Sequence, residues 1–306
     1  MSSIRAIVED RLMVRELSLN NLSQTIIRWC EMIKIEHTVF ALPFALSGFI
    51  LASGSHIALA KLFWAIIAFL AARSSAMSLN RAIDAKIDAL NPRTQIRAIP
   101  KGEIKVNNAL KFAFLAFLLM VYAAYNLNWT CVMLSPIAII WLSLYSYTKR
   151  FTYLCHFVLG ISLGGAALGG YVAVSNSLTN LTPWCLALAV SLWVSGFDIL
   201  YALQDYEFDR QHKIYSLPAI FGVERALLVA KIAHVFTIIC LILTGIFAQI
   251  HVLYYVGIGI VALMLIYEHS LVKPHDLSKI NQAFFNINGF VSIICFTCIL
   301  LDHFLL

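Results

Sequence analysis

Charge is what this sequence has least of. Only 12% of its 306 residues are Asp, Glu, Lys or Arg, while 61% are hydrophobic. A soluble domain carries about 25% charged residues, so this chain lacks the polar surface to face water on all sides. Other absences narrow the chemistry. There is no Gly-rich phosphate loop followed by Lys, and none of the nine His residues stands with a Ser or Cys in a recognisable nucleophile motif. Cys295 and Cys298 form a lone CxxC with no second pair, in a segment apolar enough to span a bilayer. The seven cysteines read as small packing residues rather than metal ligands. Residues 1–36 have no apolar core of a signal peptide, and Glu9, Asp10 and Glu16 argue against a transit peptide.

The missing charge falls in long gaps. No Asp, Glu, Lys or Arg occurs in residues 37–60, 112–148, 151–197, 232–267 or 280–301. A bilayer core needs roughly 20 apolar residues per helix. The first and last gaps hold one helix each and the three long ones hold two each. Residues 62–80, interrupted only by Arg73, add another, making nine. Turns are expected at 126–128, 175–183 and 249–251. With nine spans, 20 of the 22 Lys and Arg residues fall on the side that holds residues 1–36, so that side is expected to be cytoplasmic. The expectation is an all-α polytopic protein of a cell inner (cytoplasmic) membrane. It has a cytoplasmic segment over 1–36 and one transmembrane domain over 37–306. The net charge of +6 is topogenic and calls for no nucleic acid.

The few acidic residues are concentrated. Asp84 and Asp88 end the second span and Asp205 and Asp209 end the sixth, each pair spaced i, i+4 on one helix face, with Asn80 one turn below the first. Carboxylates converging at a membrane surface repel one another unless hard cations intervene. Mg²⁺ takes one or two carboxylates together with phosphate oxygens and water. The two DxxxD pairs therefore suit Mg²⁺ ions clamping a diphosphate. The bases beside them, Arg93, Arg97, Lys149 and Arg150, suit phosphate oxygens. Deeper in the membrane lie Arg73, about 16 Å below Asp84, and Asp198, about 10 Å below Asp205, at 1.5 Å per residue. Either these two neutralise each other, or they line a pocket for an aromatic acceptor, Arg73 holding a carboxylate and Asp198 a ring hydroxyl. The glycine pairs Gly164-Gly165 and Gly169-Gly170 have the spacing of close helix packing.

These residues resemble the UbiA superfamily of membrane aromatic prenyltransferases. Asn80-Arg81-Ala-Ile-Asp84-Ala-Lys-Ile-Asp88 is similar to its first motif, NDxxDxxxD, and Asp198-Ile-Leu-Tyr201-Ala-Leu-Gln-Asp205-Tyr-Glu-Phe-Asp209 to its second. Arg93-Thr94 with Arg97 and Pro100 resembles RTxxRxxP, and Tyr145-Ser-Tyr-Thr-Lys149-Arg150 resembles YPxxKR. Arg81 and Ser146 depart from the pattern. The first departure is shared with a subgroup carrying NRxxDxxxDxxNPRT. The resemblance implies nine helices around a central cavity, Mg²⁺-dependent ionisation of a polyprenyl diphosphate and attack by an electron-rich ring. Asn80, Asp84, Asp88, Asp205 and Asp209 would hold metal, Arg97 and Lys149 would contact diphosphate, and Tyr145 joins Arg73 and Asp198 at the aromatic substrate. The expected acceptor is a hydroxylated aromatic carboxylate, 4-hydroxybenzoate or 1,4-dihydroxy-6-naphthoate. Haem, chlorophyll or homogentisate acceptors, or a cation transporter with the carboxylates as its transport site, are the rivals.

Overall fold

The computed structural model describes residues 23–54, 56–282 and 286–305. Among these, nine helices are long and apolar enough to cross a membrane. They are α1 (Thr38–Ala52), α2 (Leu59–Leu90), α3 (Val106–Leu127), α4 (Trp129–Thr148), α5 (Cys155–Ser175), α6 (Thr182–Ala202), α7 (Val223–Ala248), α8 (Val252–Leu271) and α9 (Asn288–Leu305). A helix over 23–32 and a 3-10 turn, Ile35–His37, precede α1. Large side chains such as Phe114, Leu115, Ile140 and Leu263 are exposed on the outside of the bundle, where a lipid-facing surface needs no polar cover.

Each uncharged gap divides where its polar residues can turn the chain. Asn128 ends α3 and caps α4: its Oδ1 accepts the Cys131 amide, and its Nδ2 donates to the carbonyls of Val172 and Ala173 at the end of α5. The α7–α8 turn forms at Gln249, whose φ of 55° is left-handed. α6 is the core helix and packs between α5 and α7. Its Trp193 is fully buried and meets Phe44 of α1 and Phe197.

Glycine sets the α1–α5 spacing. A Cβ at Gly170 would lie 1.9 Å from the Ala45 carbonyl oxygen, and one at Gly48 would lie 2.0 Å from that of Ala167. Gly164 similarly meets the Ala187 carbonyl of α6. Gly165 and Gly169 meet nothing and line the cavity instead, so only half of the two glycine pairs serves close packing. The Cys295–Cys298 pair is packing material as well, since Cys298 Sγ fills the space a side chain at Gly257 would need.

Away from the cavity, a polar chain ties four helices together. Trp193 Nε1 donates to Asn288 Oδ1 on α9 (2.8 Å), and Asn288 Nδ2 donates to Glu268 Oε1 on α8 (2.6 Å). Glu268 is fully buried, with its second oxygen 3.6 Å from His234 Nδ1 on α7. That nitrogen is also 3.0 Å from His269 Nε2.

Candidate active site

The centre of the bundle is a cavity of about 1370 Å³, which reaches the bundle end that carries both aspartate motifs. Asn80, Asp84, Asp88, Asp205, Asp209, Arg93, Arg97, Lys149, Arg73, Asp198 and Tyr145 all line it. Arg150 does not line it. It stands behind the wall, donating to the Ser146 and Ile83 carbonyls and to Asp84 Oδ1.

α2 runs unbroken through Asp84 and Asp88, because nothing in Arg81–Leu90 interrupts a helix. Both carboxylates are almost wholly buried, at 1% and 3% exposure. Lys149 Nζ lies 2.6 Å from Asp84 Oδ2, and Arg97 Nη1 donates to both oxygens of Asp88 at 2.7 Å. Asn80 Nδ2 donates to Asp84 Oδ2, which leaves its carbonyl oxygen for another ligand. Arg81 is buried, donating through Nε to the Met32 carbonyl with Nη1 4.0 Å from Asp88. The residue that replaces a motif aspartate thus holds the N-terminal helix in place.

The second motif departs from an uninterrupted helix. α6 stops at Ala202, a 3-10 turn covers Leu203–Asp205, and a short helix, Tyr206–Gln211, carries Asp209. The tighter turn rotates Asp205 relative to Asp198, so the straight-helix line through Asp198, Asp205 and Asp209 does not hold. Asp205 is oriented from the other motif's loop instead. Arg93 forks onto both of its oxygens, and Asn91 Nδ2 donates to Oδ1 at 2.9 Å. The loop is built for this. Asn91 Oδ1 accepts the Arg93 amide, and Thr94 Oγ1 donates to the Asp88 carbonyl left open at the end of α2. Burial opposes the Arg93 charge. The hydrogen bond and charge of Asp205 outweigh it and raise its pKa above the ordinary arginine value. Arg93 also donates to the Tyr201 hydroxyl and stands over that ring.

Arg73 and Asp198 do not pair. Arg73 donates to the carbonyls of Ile33 (3.0 Å) and Lys34 (2.8 Å), closing the end of the N-terminal helix. The partner of Asp198 is His156, with Nδ1 2.6 Å from Oδ2. Sequence reasoning passed over His156. Its signal was a lone histidine near a span terminus in a gap without charge, where an ionisable group calls for a reason.

The donor set fits Mg²⁺. It offers carboxylates and one amide oxygen, all hard, split between two helix ends. Among the described residues no three His, Cys, Asp or Glu side chains form a closed metal cage. Mg²⁺ is commonly completed by phosphate oxygens and water rather than by protein alone.

Comparisons with known proteins agree with this geometry. The UbiA prenyltransferase family model matches residues 41–290. The chain is 30% identical over 230 residues to the 4-hydroxybenzoate octaprenyltransferase of Vesicomyosocius okutanii subsp. Calyptogena okutanii (strain HA), covering 75% of this chain and 83% of that one. It is 32% identical over 241 residues to the Blochmanniella floridana protein of the same name, covering 78% and 83%. Its fold matches the apo structure of a UbiA homologue from Aeropyrum pernix K1 with a TM-score of 0.79 at 32% identity, over 88% of this chain and 98% of that one. A UbiA homologue from Archaeoglobus fulgidus bound to DMAPP and Mg²⁺ has the same fold, with a TM-score of 0.71 at 19% identity over 91% and 100%. The chain therefore belongs to the UbiA prenyltransferase family and is a multi-pass membrane polyprenyltransferase.

Proposed function

We propose that this enzyme transfers a polyprenyl group from a polyprenyl diphosphate, with Mg²⁺, to a ring carbon of a hydroxylated aromatic carboxylate in quinone biosynthesis. The observation that carries the reading is one cavity with two chemically different ends. Charge gathers at one end, where both motifs and their bases converge, and apolar and aromatic wall lies below. The names of the relatives favour 4-hydroxybenzoate over 1,4-dihydroxy-6-naphthoate. The basic residues favour a site on the cytoplasmic side of the inner membrane.

Asn80, Asp84, Asp88, Asp205 and Asp209 would hold Mg²⁺, whose charge makes the diphosphate a better leaving group. Arg93, Arg97 and Lys149 each sit on a motif aspartate in this structure. With metal and diphosphate bound, these aspartates would be the metal's ligands and Arg93, Arg97 and Lys149 would face phosphate oxygens, which would keep the buried charge balanced. The walls formed by Phe40, Phe49, Phe69, Trp141 and Phe197 exclude water and offer ring faces to an allylic cation. Arg73 and Tyr145 stand on the wall where the acceptor's carboxylate and ring would lie.

Membranes containing the protein, supplied with a polyprenyl diphosphate, Mg²⁺ and both acids, should yield one prenylated acid by mass spectrometry. Mg²⁺-dependent release of diphosphate with neither acid prenylated would refute the acceptor class while leaving the family intact.

A further inference from the structure

The strongest unassigned feature of the cavity wall is the contact between His156 and Asp198. His156, at the start of α5, is buried to 4% exposure. Its Nε2 accepts the backbone N–H of Leu217 at 3.3 Å, so its proton sits on Nδ1. That proton points at Asp198 Oδ2, 2.6 Å away. A main-chain amide therefore fixes the tautomer, and the tautomer fixes the carboxylate. Oδ2 of Asp198 is committed to His156. The side chain is still 26% exposed and lines the cavity, which leaves Oδ1 for whatever the cavity holds. Asp198 also lies a turn inside α6, before the 3-10 turn that carries Asp205 and away from the diphosphate end.

Transfer to a ring carbon leaves one proton to be removed. The allylic C–O bond breaks with its electron pair leaving on the diphosphate, and the allylic carbon bonds to the ring. The ring C–H bond must then break to restore the aromatic sextet. A base is needed at the depth of the ring, not at the diphosphate. We propose that Asp198 is that base and His156 its positioning residue. The ring proton passes to Asp198 Oδ1 while His156 Nδ1–H holds Oδ2, and the proton is released to water when the product leaves. This rests on the aromatic-acceptor reading above.

Purified full-length enzyme tests it with a polyprenyl diphosphate, Mg²⁺ and 4-hydroxybenzoate, either unlabelled or deuterated on the ring beside the hydroxyl. Asp198→Asn should lower kcat by about 10²–10⁴-fold, the usual contribution of a general base. His156→Ala should lower kcat by a smaller factor, with an isotope effect from the ring deuterium that exceeds that of the wild type. His156→Asn places an amide N–H where Nδ1 stood and should restore kcat and the wild-type isotope effect. His156→Gln reaches only the Nε2 position and should not, and this pair decides the matter even if His156→Ala fails to fold. An isotope effect unchanged in His156→Ala or His156→Gln, or Asn no better than Gln, overturns the proposal while product formation stands. Wild-type enzyme that releases diphosphate but prenylates no ring overturns the acceptor reading, and the dyad with it.

Discussion

Asp84→Asn and Lys149→Met cut the same ion pair from opposite ends, and the structure makes their consequences unequal. The Asp84 side chain is 2% exposed, whereas Lys149 and Arg150 are 29% and 31% exposed. Neutralising Asp84 releases two bases that still reach water, and a pair of that kind is worth about 0.2–1 kcal/mol. We therefore expect Asp84→Asn to lose about 1 kcal/mol of stability. Removing Lys149 leaves a buried carboxylate. A fully uncompensated one costs about 3–5 kcal/mol, and because Arg150 and Asn80 still cover Asp84, about 2–3 kcal/mol is expected. Thermal unfolding of the detergent-purified protein, followed by tryptophan fluorescence, ranks the two. Mg²⁺ with inorganic diphosphate should recover part of the loss in Lys149→Met, because metal supplies the missing positive charge. It should recover none in Asp84→Asn, which should also be without turnover. An Asp84→Asn protein that melts below Lys149→Met would refute the buried-charge argument, and one that turns over at ordinary Mg²⁺ would show that Asp84 is not a metal-bearing carboxylate.

Arg73→Leu should raise the acceptor's KM more than that of the prenyl diphosphate. Because its guanidinium holds two carbonyls of the N-terminal helix, the variant should also lose about 1–3 kcal/mol in the same melting assay. Adding Asp198→Asn should recover neither, since Asp198 is held by His156. In a cysteine-depleted background, labelling from the cytoplasmic side should reach cysteines placed at 95 and 211 and miss one at 178. The reverse pattern would overturn the orientation. Gly169→Leu projects into open cavity and should shorten the longest prenyl chain accepted, read by product mass, without lowering turnover of short ones. Glu268→Gln keeps an acceptor for Asn288 and should melt near wild type, while Glu268→Ala should melt several degrees lower.

The membrane architecture was legible because bilayer solvation writes itself into composition. Uncharged gaps gave the spans, and Asn128, 175–183 and 249–251 marked the turns where the chain does bend. The margins of the uncharged segments placed Asp84 and Asp88 in the last turns of α2, and Asp205 and Asp209 just beyond the end of α6 at Ala202. What stayed hidden was which side chain meets which across the cavity. Helical periodicity says that Arg73 and Asp198 face inward, but not that one reaches back to Ile33 and Lys34 and the other across to His156. The 3-10 turn at Leu203–Asp205 was equally invisible. Nothing in Leu-Gln-Asp forbids an α-helix, and the break shows only where Asp205 meets Arg93 and Asn91. Arg150 was legible as a base at the right height and not as one turned behind the wall.

The chain of Trp193, Asn288 and Glu268 has a consequence for how the protein is made. Trp193 is synthesised 95 residues before its partner Asn288, a delay of about 5–20 s at ordinary translation rates. Glu268 enters the bilayer 20 residues ahead of the same amide. Until α9 emerges, the Trp193 indole N–H and Glu268 Oε1 lack the amide that joins them, and His234 of α7 stands beside the other carboxyl oxygen alone. Insertion of the last helix is therefore the event that closes the bundle. A ribosome that stalls after α8 leaves a polar, open-sided intermediate of the kind that membrane quality control removes.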